Sequence, residues 1–254
     1  VSGGIYNYIG DSSKISQVGT TNTGSNPESI AVYGNLVYVT NGNNTISVVD
    51  ITKPQAPLEG PNTTVGNNPQ GIAISGNYIY VVNQDDNTMS VLNILIPAHP
   101  TVVATVSVGS SPFGIAISGH YAYITDQSGV VSVIDIASPS APRQVATVSV
   151  GGSLRGISIY GRVAYVVNNA SNNVSAINIS NPLSPVLLSV PASVGSSPIS
   201  IAISGRYAYI TNNATTTITV IDISYPEEAL YYVATIPVGI NPYGIFVSGR
   251  SVYV

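Results

Sequence analysis

Apolar residues in this chain come in short runs of four to seven, bounded by Gly, Pro, Asn or Ser, and nowhere recur with a helical period. Within a run the side chains alternate, as in Tyr78-Ile79-Tyr80-Val81 and Tyr207-Ala208-Tyr209-Ile210. Apolar residues fall on both faces of such strands, which predicts sheets packed on both sides. The runs are themselves periodic. A segment of form Pro-x-(Gly/Ser)-Ile-x-(Ile/Val)-x-Gly, followed by Tyr-(Val/Ile), places its second tyrosine at Tyr38, Tyr80, Tyr123, Tyr165, Tyr209 and Tyr253, with steps of 42, 43, 42, 44 and 44 residues. Two further apolar runs lie between anchors, for example 46–51 and 145–150, giving four strands per unit.

Four strands at this period match a propeller blade and not the shorter units of β-helices or leucine-rich repeats. The fold class expected is therefore all-β: a six-bladed β-propeller of four-stranded antiparallel blades. The blades run approximately over 27–68, 69–111, 112–153, 154–197, 198–241, and 242–254 together with 1–26. Gln17-Val18-Gly19-Thr20 aligns with Gln144-Val145-Ala146-Thr147, and that register lays 5–9 on 132–136. The beginning of the chain thus reads as third and fourth strands, and the end (244–247 and 252–254) as first and second, so a two-plus-two clasp is expected to close the ring.

Ile117-Ser118-Gly119-His120-Tyr121-Ala122-Tyr123-Ile124, then Val133-Ile134-Asp135-Ile136 and Pro139-Ser140-Ala141-Pro142, resembles the LVIVD repeat. Tyr38-Val39-Thr40-Asn41 and Tyr209-Ile210-Thr211-Asn212 are similar to the related YVTN repeat of surface proteins. The resemblance spans all six units and implies a secreted or cell-surface propeller, and it carries no catalytic residue across.

Composition narrows the function. The 254 residues include seven basic and eleven acidic side chains, only 7% charged against about 25% in ordinary domains, which leaves no cationic footprint for nucleic acid. Cysteine is absent, removing thiolate catalysis and zinc-thiolate sites, and no apolar run reaches the roughly 18 residues of a membrane-spanning helix. Six Asn-x-Ser/Thr acceptors, Asn43, Asn62, Asn169, Asn173, Asn178 and Asn213, suit a glycosylated exterior protein. The start, Val-Ser-Gly-Gly, reads as processed or excised.

Candidate sites are the positions that escape the repeat. Asp50, Asn93, Asp135, Asn178 and Asp222, with Tyr8 in the sixth place, read as a strand-end turn device, and the recurrent tyrosines as blade-interface residues. The residue after the repeated proline varies completely: Glu28, Gln70, Phe113, Arg155, Ile199 and Tyr243. These enter the innermost strands at the mouth of the channel and form the candidate ligand site. Loops on that face bring Asp85, Asp86 and Asp126, and Asp85-Asp86 beside Asn83 and Asn87 is a weak candidate for a hard cation. On the opposite face His120, Arg162, Arg206 and Arg250 share one turn position and suit an acidic polymer, a sugar acid or an acidic neighbouring subunit, with head-to-tail self-assembly as a corollary.

Histidine is confined to His99 and His120, and no nucleophile elbow, phosphate loop or zinc motif occurs. The expectation is a non-enzymatic binding, adhesion or surface-assembly module without cofactor, meeting a protein or glycan outside the cell. The alternative is a secreted lactonase-like or polysaccharide-acting hydrolase or lyase using the channel mouth.

Overall fold

The computed structural model describes residues 17–188 and 191–254. Every regular element among them is a β-strand. The first sheet holds β1 (Pro27–Tyr33), β2 (Leu36–Asn41), β3 (Thr45–Asp50), β4 (Leu58–Glu59) and β5 (Thr63–Thr64). The second holds β6 (Pro69–Ser75), β7 (Tyr78–Asn83), β8 (Thr88–Asn93) and β9 (Thr101–Ser107). The third holds β10 (Pro112–Ser118), β11 (Tyr121–Asp126), β12 (Val130–Asp135) and β13 (Arg143–Ser149). The fourth holds β14 (Leu154–Tyr160), β15 (Val163–Asn168), β16 (Asn173–Asn178), β17 (Val186–Leu187) and β18 (Ala192–Ser193). The fifth holds β19 (Pro198–Ser204), β20 (Tyr207–Asn212), β21 (Thr217–Asp222) and β22 (Tyr231–Pro237), and a final pair is β23 (Phe246–Ser248) with β24 (Ser251–Tyr253).

Strands in each sheet are hydrogen-bonded in chain order, so every blade is an antiparallel meander. In the first and fourth blades the outer strand is split in two, both pieces pairing with the third strand. In the first, Gly60-Pro61 interrupts the ladder, because proline offers no N–H to it. The final pair is shifted from the 244–247 and 252–254 expected: β23 is one residue shorter and starts two residues later, and β24 has the expected length but starts one residue earlier. In complete blades the residue opening the first strand pairs with the Asx closing the second, as Pro198 with Asn212 and Leu154 with Asn168. The segments 1–16, with the expected strand at 5–9 and Tyr8, lie outside the described residues.

Two compact units contain these sheets: one comprises Gln17–Gln127 and Val131–Ala146, the other Ser128–Val130 and Thr147–Val254. Their interiors follow one rule. One face of a blade contributes its second-strand tyrosine and alternate third-strand residues, and the next blade answers with small and branched residues. In the first unit Tyr38, Ile46 and Val48 meet Ile79, Val81, Leu92 and Ile94, and Tyr80, Val82, Met89 and Val91 meet Ala122, Ile124, Ile134 and Ile136. In the second, Tyr165, Val167, Val174 and Ala176 meet Ala208, Ile210, Ile221 and Ile223, while Tyr209, Ile218 and Val220 meet Val252. Tyr38, Tyr80, Tyr165 and Tyr209 are interface residues, as expected. Tyr38 Oη donates to Pro97 O (2.8 Å) and Tyr165 Oη to Ile223 O (3.5 Å), each in the next blade.

Burial pushes the phenols of Tyr38, Tyr80, Tyr123 and Tyr165 up from 10.0 to about 12. A raised folded-state value favours the neutral form in the native protein. The corresponding stability is complete below pH 10 and is lost as pH rises towards 12. Thermal unfolding midpoints should hold steady up to about pH 10 and then fall steeply as phenolate absorbance appears in the same transition. A midpoint independent of pH across that interval would contradict the buried tyrosine ladder.

The Asx series is a turn device in each described blade. The side-chain Oδ1 accepts the backbone N–H two residues on: Thr52 to Asp50 (2.7 Å), Leu95 to Asn93 (2.7 Å), Ala137 to Asp135 (3.0 Å), Ser180 to Asn178 (2.9 Å) and Ser224 to Asp222 (2.9 Å). A second device closes the turn between second and third strands. Its last residue is left-handed: Asn44, Asn87, Gly129, Asn172 and Thr216. In three blades the asparagine Oδ1 accepts an N–H from the turn entering the following blade, at Asn68, Ser111 and Ser197. Thr216, with φ of 52°, is β-branched where asparagine or glycine is favoured and has no amide to offer. Thr216→Asn should therefore stabilise the protein by about 1 kcal/mol, raising the thermal midpoint by roughly 2–4 °C. A lowered midpoint would show the left-handed turn to be unstrained.

Candidate functional site

The first strand of each complete blade carries a β-bulge directly after its opening residue. Pro69 pairs with Asn83 and the next pair is Ile72 with Val81, so Gln70 and Gly71 together oppose Val82. The same break follows Pro27, Pro112, Leu154 and Pro198. Glu28, Gln70, Phe113, Arg155 and Ile199 therefore occupy the bulge, where the ladder does not dictate the side chain and the chain is re-aimed. Tyr243 occupies the equivalent position before β23, outside an assigned strand. Gln70 is buried and its Nε2 donates to Asn68 Oδ1 (2.9 Å). Tyr243 is exposed, and the remaining four are half-buried.

Threonines hold the bulges. In the first blade Ser29 N donates to Thr40 Oγ1 (3.0 Å), and that hydroxyl donates to Gln70 O of the second blade (2.8 Å). In the fifth, Ser200 N donates to Thr211 Oγ1 (3.1 Å), which donates to Tyr243 O (2.9 Å). One buried hydroxyl thus ties its own bulge to that of the next blade. Glycine allows the same close approach elsewhere: a Cβ on Gly71 would lie 2.6 Å from Phe113 O, and one on Gly156 2.9 Å from Ile199 O. Within the first unit this sets Glu28, Gln70 and Phe113 on consecutive first strands, and within the second Arg155, Ile199 and Tyr243. The threonine role is readable in the sequence from the alternation with valine at this position: Thr40, Val82, Thr125, Val167 and Thr211.

One of the three loop acids is placed differently from expectation, while Asp85 and Asp86 lie exposed in the turn between β7 and β8. Asp126 ends β11 and is only 1% exposed, so it is not a loop charge on an open face; it stands where the other complete blades bury Asn41, Asn83, Asn168 and Asn212. Asp86 accepts from Asn67 N (2.7 Å) and Asn67 Nδ2 (2.8 Å), and Asp85 from Asn68 Nδ2 (3.2 Å). These carboxylates tether the turn entering the second blade, extending the network that holds Gln70. Among the described residues no three His, Cys, Asp or Glu side chains converge as a metal site would require.

The model of the LVIVD repeat matches residues 24–63, 66–108, 112–150, 151–190 and 197–228. The chain belongs to the LVIVD repeat family. Among curated proteins none is similar enough to match. Solved structures give the fold. A Lactobacillus plantarum protein superposes with a TM-score of 0.77 at 16% identity, covering 89% of this chain and 73% of that one. A putative 6-phosphogluconolactonase from Bacteroides fragilis gives 0.75 at 14%, covering 92% and 75%. The periplasmic gluconolactonase of Pseudomonas aeruginosa gives 0.73 at 18%, covering 83% and 69%. At these identities the likeness is one of propeller fold.

The aspartate of the LVIVD motif is accounted for by its Asx turn, so the repeat itself spends its most chemical residue on structure. What varies between LVIVD repeats is the bulge and, at the other end of each blade, the turn between first and second strands. There His120, Arg162, Arg206 and Arg250 are all exposed, each following a left-handed glycine. Arg206 stacks over Tyr207 at 5.0 Å and lies 3.4 Å from Asp222 Oδ2. Of the glycan acceptors, Asn43 and Asn62 are exposed. Asn169 and Asn213 donate their side-chain amides to Pro198 O and Pro242 O, a bond that a glycan on Nδ2 would displace. Asn178 serves its turn and Asn173 lies within β16.

Proposed function

We propose that this chain is a six-bladed LVIVD propeller that recognises a protein or glycan ligand through its first-strand bulges, outside the cell or on its surface. The observation that carries the reading is that a repeated bulge, tied by Thr40 and Thr211, presents a different side chain in each blade. A rigid frame with variable, re-aimed side chains is how propellers and other repeat folds build recognition surfaces. Gln70, fixed by Asn68, supplies an oriented polar group, and Phe113 and Tyr243 supply apolar area. A glycan array and pull-down with surface extract should identify a partner. Gln70→Ala, Phe113→Ala and Tyr243→Ala should each weaken its binding about tenfold. Unchanged affinity in all three would remove the bulges from the site.

Closure into six blades is supported by two half-interfaces. Ile72 and Ile74, and likewise Ile115 and Ile117, pack on the preceding blade, whereas their first-blade equivalents Ile30 and Val32 are 64% and 58% exposed. Val37, Val39 and Val49 form a buried cluster with Ile51 packed against it. At the other end Tyr253, equivalent to the buried Tyr165, is 46% exposed, and an open cavity of about 660 Å³ lies beside β24. Removing residues 1–16 should lower the thermal midpoint by several degrees if they complete the sixth sheet, and an unaltered midpoint would rule the clasp out. Head-to-tail stacking, with the arginine turns of one copy meeting the opposite face of the next, is a separate proposal. A purely monomeric scattering profile at high concentration would exclude it.

A second reading, lactonase-like hydrolysis, is favoured by the likeness to the Pseudomonas aeruginosa and Bacteroides fragilis propellers. It expects turnover of sugar lactones that Glu28→Gln or Arg155→Gln abolishes. The binding reading expects none.

A further inference from the structure

We infer that the turn end of the fourth and fifth blades, opposite the bulges, is a binding surface for a carboxylate-bearing polysaccharide. Residues 151–197, the fourth blade with its entering turn, contain Arg155 and Arg162 and not one Asp or Glu, although the whole chain carries a net charge of −4. Arg155 is spent at the bulge end. Arg162 stands alone among charged residues at the turn end of its blade, exposed, with its backbone fixed by the bond from Ile179 N to Arg162 O (2.9 Å).

The neighbouring blade makes the contrast. Tyr207 pairs with Asp222, and Arg206 has that carboxylate 3.4 Å away. In the fourth blade Val163 pairs with Asn178, whose Oδ1 already accepts from Ser180 N. The carboxylate that answers Arg206 thus has an uncharged counterpart beside Arg162. A planar guanidinium presented on a rigid turn suits the forked contact with an incoming carboxylate.

Exposed aromatic rings lie in the same two blades. Tyr160, at the end of β14, is 52% exposed, and Tyr225, in the connection after β21, is 63% exposed. In the first two blades the tyrosine equivalent to Tyr160 reaches the next turn: Tyr33 Oη donates to Asn77 Oδ1 (3.4 Å). In the fourth blade Tyr160 closes β14 two residues before Arg162, and in the fifth the Arg206 guanidinium is stacked on Tyr207. Exposed ring faces, phenol hydroxyls and an arginine fork, separated by Ser, Asn and Pro, fit the apolar face, hydroxyls and carboxylate of a uronic-acid residue. Within the fourth and fifth blades the acids of this end, Asp222, Glu227 and Glu228, all belong to the fifth, so the carboxylate is directed to the fourth.

The test is calorimetric titration of the full chain with polygalacturonate, with alginate and with methyl-esterified polygalacturonate. Binding to at least one acidic polymer is expected, weakened about tenfold or more by esterification and similarly by Arg162→Gln or Tyr160→Ala. Arg143→Gln, on the third blade, should bind like the parent. No binding to either acidic polymer, equal affinity for the ester, or full affinity in Arg162→Gln would overturn the inference. So would self-association that Arg162→Gln abolishes in a chain that binds neither polymer, since the surface would then belong to a second copy.

Discussion

Thr40→Val should cost about 2–4 kcal/mol of stability, because it leaves both the bulge N–H of Ser29 and the carbonyl of Gln70 without their hydroxyl partner in a buried setting. The side chains have nearly equal volume, so packing contributes little to the change. Thr211→Val should cost a similar amount through Ser200 N and Tyr243 O, and the two effects should add, since the sites share no partner. Denaturant midpoints of the single and double variants measure this. Valine is native at the equivalent Val82 and Val167, so the loss is predicted for the threonine blades only. A neutral double variant would mean that the hydroxyls do not tie the bulges together. Ligand affinity at the bulge should fall along with stability, as the carbonyls of Gln70 and Tyr243 belong to the proposed recognition residues.

Gly71→Ala should cost about 3 kcal/mol. The added methyl would stand 2.6 Å from Phe113 O and 3.2 Å from Ile115 N, backbone atoms of the adjacent first strand that cannot turn aside. The two first strands must separate, shifting Gln70 and Phe113 apart. Gly76→Ala provides the comparison, since no atom lies within 4 Å of a Cβ there and only its left-handed φ of 56° opposes the change. Equal losses in the two variants would show the close approach to be unimportant.

Much of this molecule is written in its repeat. The period near 42, the two-sided apolar alternation and the Gly, Pro and Asn punctuation determined the four-stranded meanders, the interface tyrosines and the Asx turns, because each depends on residues close in sequence. The bulge positions were legible for a related reason: Glu28, Gln70, Phe113, Arg155, Ile199 and Tyr243 differ where their flanks agree. Only tertiary structure decided what lies around them. That Thr40 reaches across to Gln70 O, that Asp126 is buried although it ends a polar-looking motif, and that Asp86 is spent on Asn67 are contacts between chain segments 19 to 30 residues apart or buried within a blade. A linear pattern reports which side of a strand a residue occupies. It does not report which backbone group of the next blade comes within hydrogen-bond reach, since that is set by how closely Gly71 and its equivalents let neighbouring first strands approach.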